Sequence, residues 1–396
     1  MLHHEKSPVS RVREIRMHGS SCPFVRDLHW MKGQDLPMAW SLVGWHVGVA
    51  ALLGLAACDR GSATRVDQEQ AGNGAGGAAA QACDKLRNAA LERGVMSGSV
   101  DGSYSREQLS QTTELFVVGA SSLDGIECLP HLTALWLSDG SLRDVSALSA
   151  LQELDTLTVT NHRLESLSSL PSLPKLRRLD IAQNQIDDLA TLPVLPALTE
   201  LYVSANPIAS LAALSAYPEL QVLWATGAEL RTLDGLSLSK LVELHADANQ
   251  LVELGDLSPL AALQILDVAR NQLKNLQGVQ ALSQLTQLKA AQNPLDSLEG
   301  VASLRALDSL DVSSTLVLDL APLAALAPLT YLGLNDTPIT SLTPLRGWAE
   351  GAGDCRHLDV MNVALDDASN QLLSAGFCAR NWGVRPTCTQ QCFDLR

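Results

Sequence analysis

Leucines recur at Leu132, Leu154, Leu176, Leu198, Leu220, Leu241, Leu263, Leu285, Leu307 and Leu329, every spacing being 22 residues except one of 21. Ten units in register restrict the chain to a fold made by stacking one small element on the next. Each unit reads L-x-x-L-x-L-x-x-N-x-L-x-x-L, with Val or Ala in some third slots. Leu176, Leu179, Ile181, Asn184, Ile186 and Leu189 make one; Leu263, Leu266, Val268, Asn271, Leu273 and Leu276 make another. Leu179 and Ile181 have period two, which puts both on one face of a short strand. After the Asn slot the period becomes three, as in Ile186, Leu189, Leu192 and Leu195. That period suits a 3₁₀ turn or an extended arm. One unit cannot bury these side chains, whereas stacked units share a core. The predicted fold is an α/β solenoid: a curved parallel sheet on the concave face, 3₁₀ or irregular arms on the convex side, and a small cap at each end. Rungs about 4.8 Å apart give a sheet of roughly 45–50 Å.

The Asn slot holds Asn184, Asn206, Asn249, Asn271 and Asn293, and elsewhere Gly140, His162, Ala228, Thr315 and Thr337. An amide buried there can bond backbone groups of its own and the next rung, so the row is read as structural. These slots identify the repeats as resembling the leucine-rich repeat family. The 22-residue length is most similar to the repeats of internalins and of the regulatory-subunit class. The resemblance implies a binding scaffold over residues 132–348 and says little about the partner, because consensus positions are structural.

Ahead of the repeats, Trp40 to Ala57 is apolar and ends in small residues, which fits a secretory signal. Leu55-Ala56-Ala57-Cys58 resembles the bacterial lipobox. That resemblance implies a signal over 31–57, a lipidated Cys58 and a membrane-anchored protein on the exported side of a bacterial envelope. The alternative is an uncleaved membrane helix. A start at Met31 would supply Lys32 to the signal, leaving residues 1–30 as an extension without periodicity. Asp59, after the cysteine, resembles an inner-membrane retention signal of enterobacteria, so the leaflet stays open. Residues 58–82 are rich in Gly, Ala, Gln and Asn and read as a disordered tether with a reach of roughly 25–30 Å.

Two stretches flank the repeats as caps. Residues 83–131 open on a helical pattern at Cys83, Leu86, Ala89, Ala90 and Leu91. A degenerate rung at Phe116 and Val118 follows, then an arm at Leu123, Ile126 and Leu129. Residues 349–396 hold a last rung with Cys355, Leu358 and Val360 in the leucine slots and a short helix over 366–376 burying Leu372 and Leu373. Setting aside Cys22 and Cys58 leaves Cys83 and Cys128 in the first cap and Cys355, Cys378, Cys388 and Cys392 in the second. Even numbers in an exported chain imply disulfides. Cys83 with Cys128 is the expected first pair, while the other four allow three pairings. A zinc site is the rival for those four, although no C-x-x-C is present.

With the leucine and asparagine rows assigned to structure, chemistry falls to the outward strand positions. One column runs Trp136, Thr158, Asp180, Tyr202, Trp224, His245, Asp267, Lys289, Asp311 and Gly333. Two positions earlier lie Ala134, Thr156, Arg178, Glu200, Val222, Glu243, Ile265, Gln287, Ser309 and Tyr331. Aromatic residues make up only 4% of the chain, so Trp136, Tyr202 and Trp224 on one face are informative; exposed Trp and Tyr commonly anchor interfaces. With Asp180, Glu200, Glu243, His245 and Asp267 they make an aromatic, acidic strip expected to hold a protein or peptide. The alternatives are that Trp136 and Trp224 pack sideways on neighbouring rungs, and that the protein is structural or self-associating without a specific ligand. His245 beside Asp267 resembles a metal pair or a base, but a single His on a solvated sheet is most often neither. No phosphate loop, nucleophilic triad or H-E-x-x-H motif occurs, so neither catalysis nor a cofactor is expected. A net charge of −15, from 43 acidic and 28 basic residues, argues against nucleic acid.

Overall fold

The computed structural model describes residues 109–327, 329–350, 356–377 and 382–385. The chain divides into two compact units, Met1–Gly72 and Asn73–Arg396, and every described residue lies in the second. The expected extension 1–30, signal 31–57, lipidated Cys58, tether 58–82, first helix from Cys83, and Cys355, Cys378, Cys388 and Cys392 lie outside the described residues. Among the described residues no helix is long and apolar enough to cross a membrane.

Thirteen strands form one sheet in chain order. They are β1 (Glu114–Val118), β2 (Ala134–Ser138), β3 (Thr156–Thr160), β4 (Arg178–Asp180), β5 (Glu200–Tyr202), β6 (Val222–Trp224), β7 (Glu243–His245), β8 (Ile265–Asp267), β9 (Gln287–Lys289), β10 (Ser309–Asp311), β11 (Tyr331–Gly333), β12 (Arg356–Asp359) and β13 (Trp382–Arg385). Every neighbouring pair is parallel. The second leucine slot lines up across the sheet from Leu115 through Leu179 and Leu244 to Leu358, each at most 1% exposed. The core is therefore one continuous leucine column rather than a separate core per repeat.

The period-three segments turn back as 3₁₀ helices, among them Ser146–Ala150, Leu189–Thr191, Ala212–Ala216 and Ser258–Leu260. Two arms lack such a turn, the one between β3 and β4 and the one between β6 and β7, which belongs to the 21-residue repeat. Its missing residue falls between Leu236 and Leu238, two apart instead of three, and both remain buried. A shorter arm still delivers its leucines to the core.

The Asn row is a hydrogen-bonded ladder, with one correction of direction. Asn184 Nδ2 donates to Ile181 O in its own rung and Val159 O in the preceding one, while Oδ1 accepts from Leu164 N, also in the preceding rung. Asn206, Asn271 and Asn293 repeat the pattern. The ladder reaches back to the rung already laid down, not forward to the next. Each rung enters the ladder through a residue of positive φ, including Gln183 (59°), Ala205 (54°), Ala248 (54°) and Arg270 (57°). Such a backbone costs about 1–2 kcal/mol for a non-glycine residue, and the amide that follows offsets it. His162 substitutes for Asn by accepting from Leu142 N through Nδ1, and burial lowers its pKa. Its ring is bulkier than an amide, and Gly140 makes room: a Cβ there would lie 2.3 Å from His162 Cε1 and 2.2 Å from Ala120 O.

At the first cap, β1 pairs with β2, but the expected pattern is off by one residue. Leu115 and Val117 enter the core, whereas Phe116 and Val118 face outward, 50% and 58% exposed. A one-residue slip exchanges the two faces of a strand; the large aromatic had suggested the wrong set. Leu123, Ile126 and Leu129 are buried as expected, and Cys128, 5% exposed, is disulfide-bonded. Its partner falls outside the described residues. At the other end, helix α1 (Arg346–Glu350) is followed by β12, and α2 (Asp367–Gln371) runs into a π-helical turn, Leu372–Phe377. Leu373 and Phe377 are buried and Leu372 packs beside them.

Candidate interaction face on the parallel sheet

Strand alternation sends three side chains per rung away from the leucine column. Parallel register aligns them in rows, so Glu200, Val222 and Glu243 match across β5, β6 and β7, and Tyr202, Trp224 and His245 match beside them. Trp224 is the centre of an aromatic row. Its ring stacks on His245 at 4.1 Å and meets Tyr202 at 5.8 Å, tilted 38°. Trp136 stacks on Phe116 at 4.0 Å, nearly coplanar. Both tryptophans therefore do pack sideways on neighbouring rungs. Both also stay partly exposed, and the Trp224 indole N–H has no hydrogen-bond partner among the described residues.

The charged groups are more internally matched than their acidic sum suggests. Arg178 Nη1 bonds Glu200 Oε2 at 2.8 Å and Tyr202 Oη at 2.9 Å, with the guanidinium 4.2 Å above the Tyr202 ring. Tyr202 donates to Glu200 Oε2, and burial, reinforced by the Glu200 charge and opposed by Arg178, pushes its pKa up to about 12. Two rungs on, His245 Nε2 meets Glu243 Oε1 at 2.7 Å and Nδ1 lies 3.8 Å from Asp267. Burial alone would lower the His245 pKa, but the bonds and charges of Asp267 and Glu243 outweigh it and raise the value. Asp267 is held low: burial pulls it upward, and His245, the Ala269 amide and Lys289 more than compensate.

His245 and Asp267 are 8% and 9% exposed, so they are floor residues of the face rather than solvated ones. Asp180, Glu200, Tyr202, Trp224 and Glu243 are half-buried beside them, and Trp136 lies apart with Phe116 toward the first cap. The two-column reading missed the third outward position. It carries Asp247, which accepts from Thr226 Oγ1 at 2.6 Å and pairs with Arg270. Continuing the alternation two residues past His245 would have found it. Ligand atoms of His245, Asp247 and Asp267 lie within 4.8 Å of one another, a spacing compatible with a metal. Arg270 and Lys289 already sit on the two carboxylates, so an ion there would have to displace both. A depression of about 200 Å³ lined by Arg143, Arg163, Glu165 and Ser166 belongs to the arms, not to this face.

The family described as leucine-rich repeats (2 copies) matches residues 174–216. No curated protein matches the chain. Several solved structures do. The internalin inlF of Listeria monocytogenes has a TM-score of 0.68 at 23% identity, over 76% of this chain and 90% of its own. A leucine-rich repeat protein of Leptospira interrogans has a TM-score of 0.51 at 18% identity, over 74% of this chain and 95% of its own. The plant peptide hormone receptor RGFR1, in complex with RGF2, has a TM-score of 0.52 at 20% identity, over 66% of this chain and 46% of its own. Aligned leucines, a backward-bonded asparagine ladder and these likenesses agree that the chain is a leucine-rich repeat solenoid.

Proposed function

We propose that the chain is a lipid-anchored protein of a bacterial envelope that holds a protein or peptide partner on its concave face, without catalysis or cofactor. The observation that carries this is the row Tyr202–Trp224–His245, a connected aromatic surface on a chain poor in aromatics. Half-buried Trp and Tyr held by neighbours are preorganised contacts, which lowers the entropy cost of binding. The plant receptor supports the class, since it shares the fold and is a peptide hormone receptor. Another chain of the same fold, TLR13, is in complex with an RNA; the −15 charge of this chain disfavours such a ligand. Lipidation of Cys58 and export rest on the sequence motif.

Tyr202→Ala with Trp224→Ala should abolish capture of the partner from the native envelope while the double variant keeps its fold by circular dichroism. Equal capture by both proteins would sink the reading. A self-associating envelope protein is the second possibility, favoured by Leu316 and Leu318, 57% and 67% exposed on one arm. Concentration-dependent sedimentation, lost on replacing both leucines by serine, would support it instead.

A further inference from the structure

Arg178 shows how this face binds a cation. Its guanidinium lies over the Tyr202 ring and bonds both Glu200 and the Tyr202 hydroxyl. The cation comes from the first outward column of β4, and the carboxylate and ring from β5. Two rungs later the same positions recur: Glu243 supplies the carboxylate and His245 the ring, with Trp224 stacked against it. The position equivalent to Arg178 is occupied by Val222, which carries no charge.

Val222 is flanked on both sides. Glu200 pairs with it from β5 and Glu243 from β7, so the two acidic residues stand about 9–10 Å apart across two strand spacings. Glu200 uses Oε2 for Arg178 and Tyr202, and Glu243 uses Oε1 for His245. The other oxygen of each, Glu200 Oε1 and Glu243 Oε2, has no hydrogen-bond partner among the described residues. Two half-satisfied carboxylates thus bracket an apolar floor beside an indole ring.

We propose that this cell, Glu200–Val222–Glu243 with Trp224, is a subsite for one guanidinium side chain of an extended polypeptide partner. The arginine lies over Val222 beside Trp224, whose ring is flanked by His245 and Tyr202, with its N–H groups on Glu200 Oε1 and Glu243 Oε2. A guanidinium suits the cell better than an ammonium, because its planar fork presents N–H groups in two directions and so reaches two carboxylates at once. The inference rests on the reading above that this face binds polypeptide, and it adds the chemistry of one ligand side chain.

The probe is the blocked pentapeptide Ala-Ala-Arg-Ala-Ala, with citrulline and lysine versions, titrated against the full chain. The readout is the Trp224 indole N–H resonance, assigned through Trp224→Phe. The arginine peptide should shift that resonance at roughly millimolar concentration, and the citrulline peptide, isosteric but neutral, should bind about fivefold more weakly or worse because it loses the charge on the two carboxylates. Glu243→Gln should weaken the arginine peptide by a similar factor. Val222→Arg, which installs the cation in the chain itself, should abolish binding; Val222 is half-exposed, and a thermal melt checks that the variant folds. Equal shifts for arginine and citrulline, or none for Trp224, would overturn the proposal. If the aromatic double variant loses its partner yet no arginine peptide binds, the interaction face stands and this subsite falls. If the arginine peptide binds as described while capture is unaffected, the subsite stands and the broader reading falls.

Discussion

Asn249 closes five hydrogen bonds around one amide. Oδ1 accepts from Ala228 N and Leu230 N, and Nδ2 donates to Ala225 O, Ala246 O and Asp247 O. Its neighbour in the row is Ala228, which contributes no side-chain bond, so Asn249 carries the turn of the 21-residue repeat as well as its own. Asn249→Ala strips Ala228 N, Leu230 N and Ala225 O of their bonds to the amide, while Ala246 O keeps Asn271 and Asp247 O keeps Gly227 N; it should cost about 1–3 kcal/mol and lower the urea midpoint. An unchanged midpoint would show that the row is not structural. His245 is the other residue whose surroundings give a signed prediction. Its raised pKa means the folded chain holds the proton more tightly than the unfolded one. That stabilisation is complete below the ordinary value of 6.5 and disappears as pH rises through the folded value. The wild type should therefore lose stability relative to His245→Gln as the pH rises above 6.5; parallel pH profiles would refute the coupling. Asp267, held below its ordinary 3.8, adds a separate loss only in stronger acid.

At the scale of elements, the repeat was legible because two periods alternate in it, and the strand–arm division follows from period two changing to period three. The 22-residue spacing even located the shortened arm, where Leu236 and Leu238 stand two apart. Other features left weaker marks. The left-handed residue before a ladder position is glycine at Gly227 but carries no such signature at Gln183, Ala205, Ala248 and Arg270, which share only a φ of 54–59°, imposed by the stacked rungs rather than by local preference. At β1, Phe116 out-signalled Leu115 because an isolated rung offers too few positions to fix its phase. The face is a mixed case. Its aromatic and acidic members were readable from alternation, but their pairing was not, since Arg178 reaches Glu200 and Arg270 reaches Asp247 across rungs. Sequence spacing of 22 or 23 residues becomes contact only once parallel register is known. His245 looked solvated for the same reason: its burial comes from Trp224 on the adjacent strand, a neighbour 21 positions away.

For the whole molecule, local pairing and global charge act over different distances. Arg178, Arg270 and Lys289 neutralise individual carboxylates within a few ångströms. They leave the −15 of the chain as a long-range field that a partner meets before any contact forms. That field steers a basic partner in and repels an acidic one, which affects the rate of association more than the rate of release. A stacked scaffold suits this division, since each rung contacts mainly its neighbours and the face can change without loss of the core. The association rate of a basic partner should then fall roughly tenfold from about 0.05 M to 0.5 M salt, as the Debye length shrinks below the width of the sheet. Dissociation, governed by contacts around Trp224, should change little over the same range. Stopped-flow or surface-resonance kinetics on one partner separates the two. If salt instead left association untouched and accelerated release, the charge would be acting at the contact itself, and the outward field would have no part in recognition.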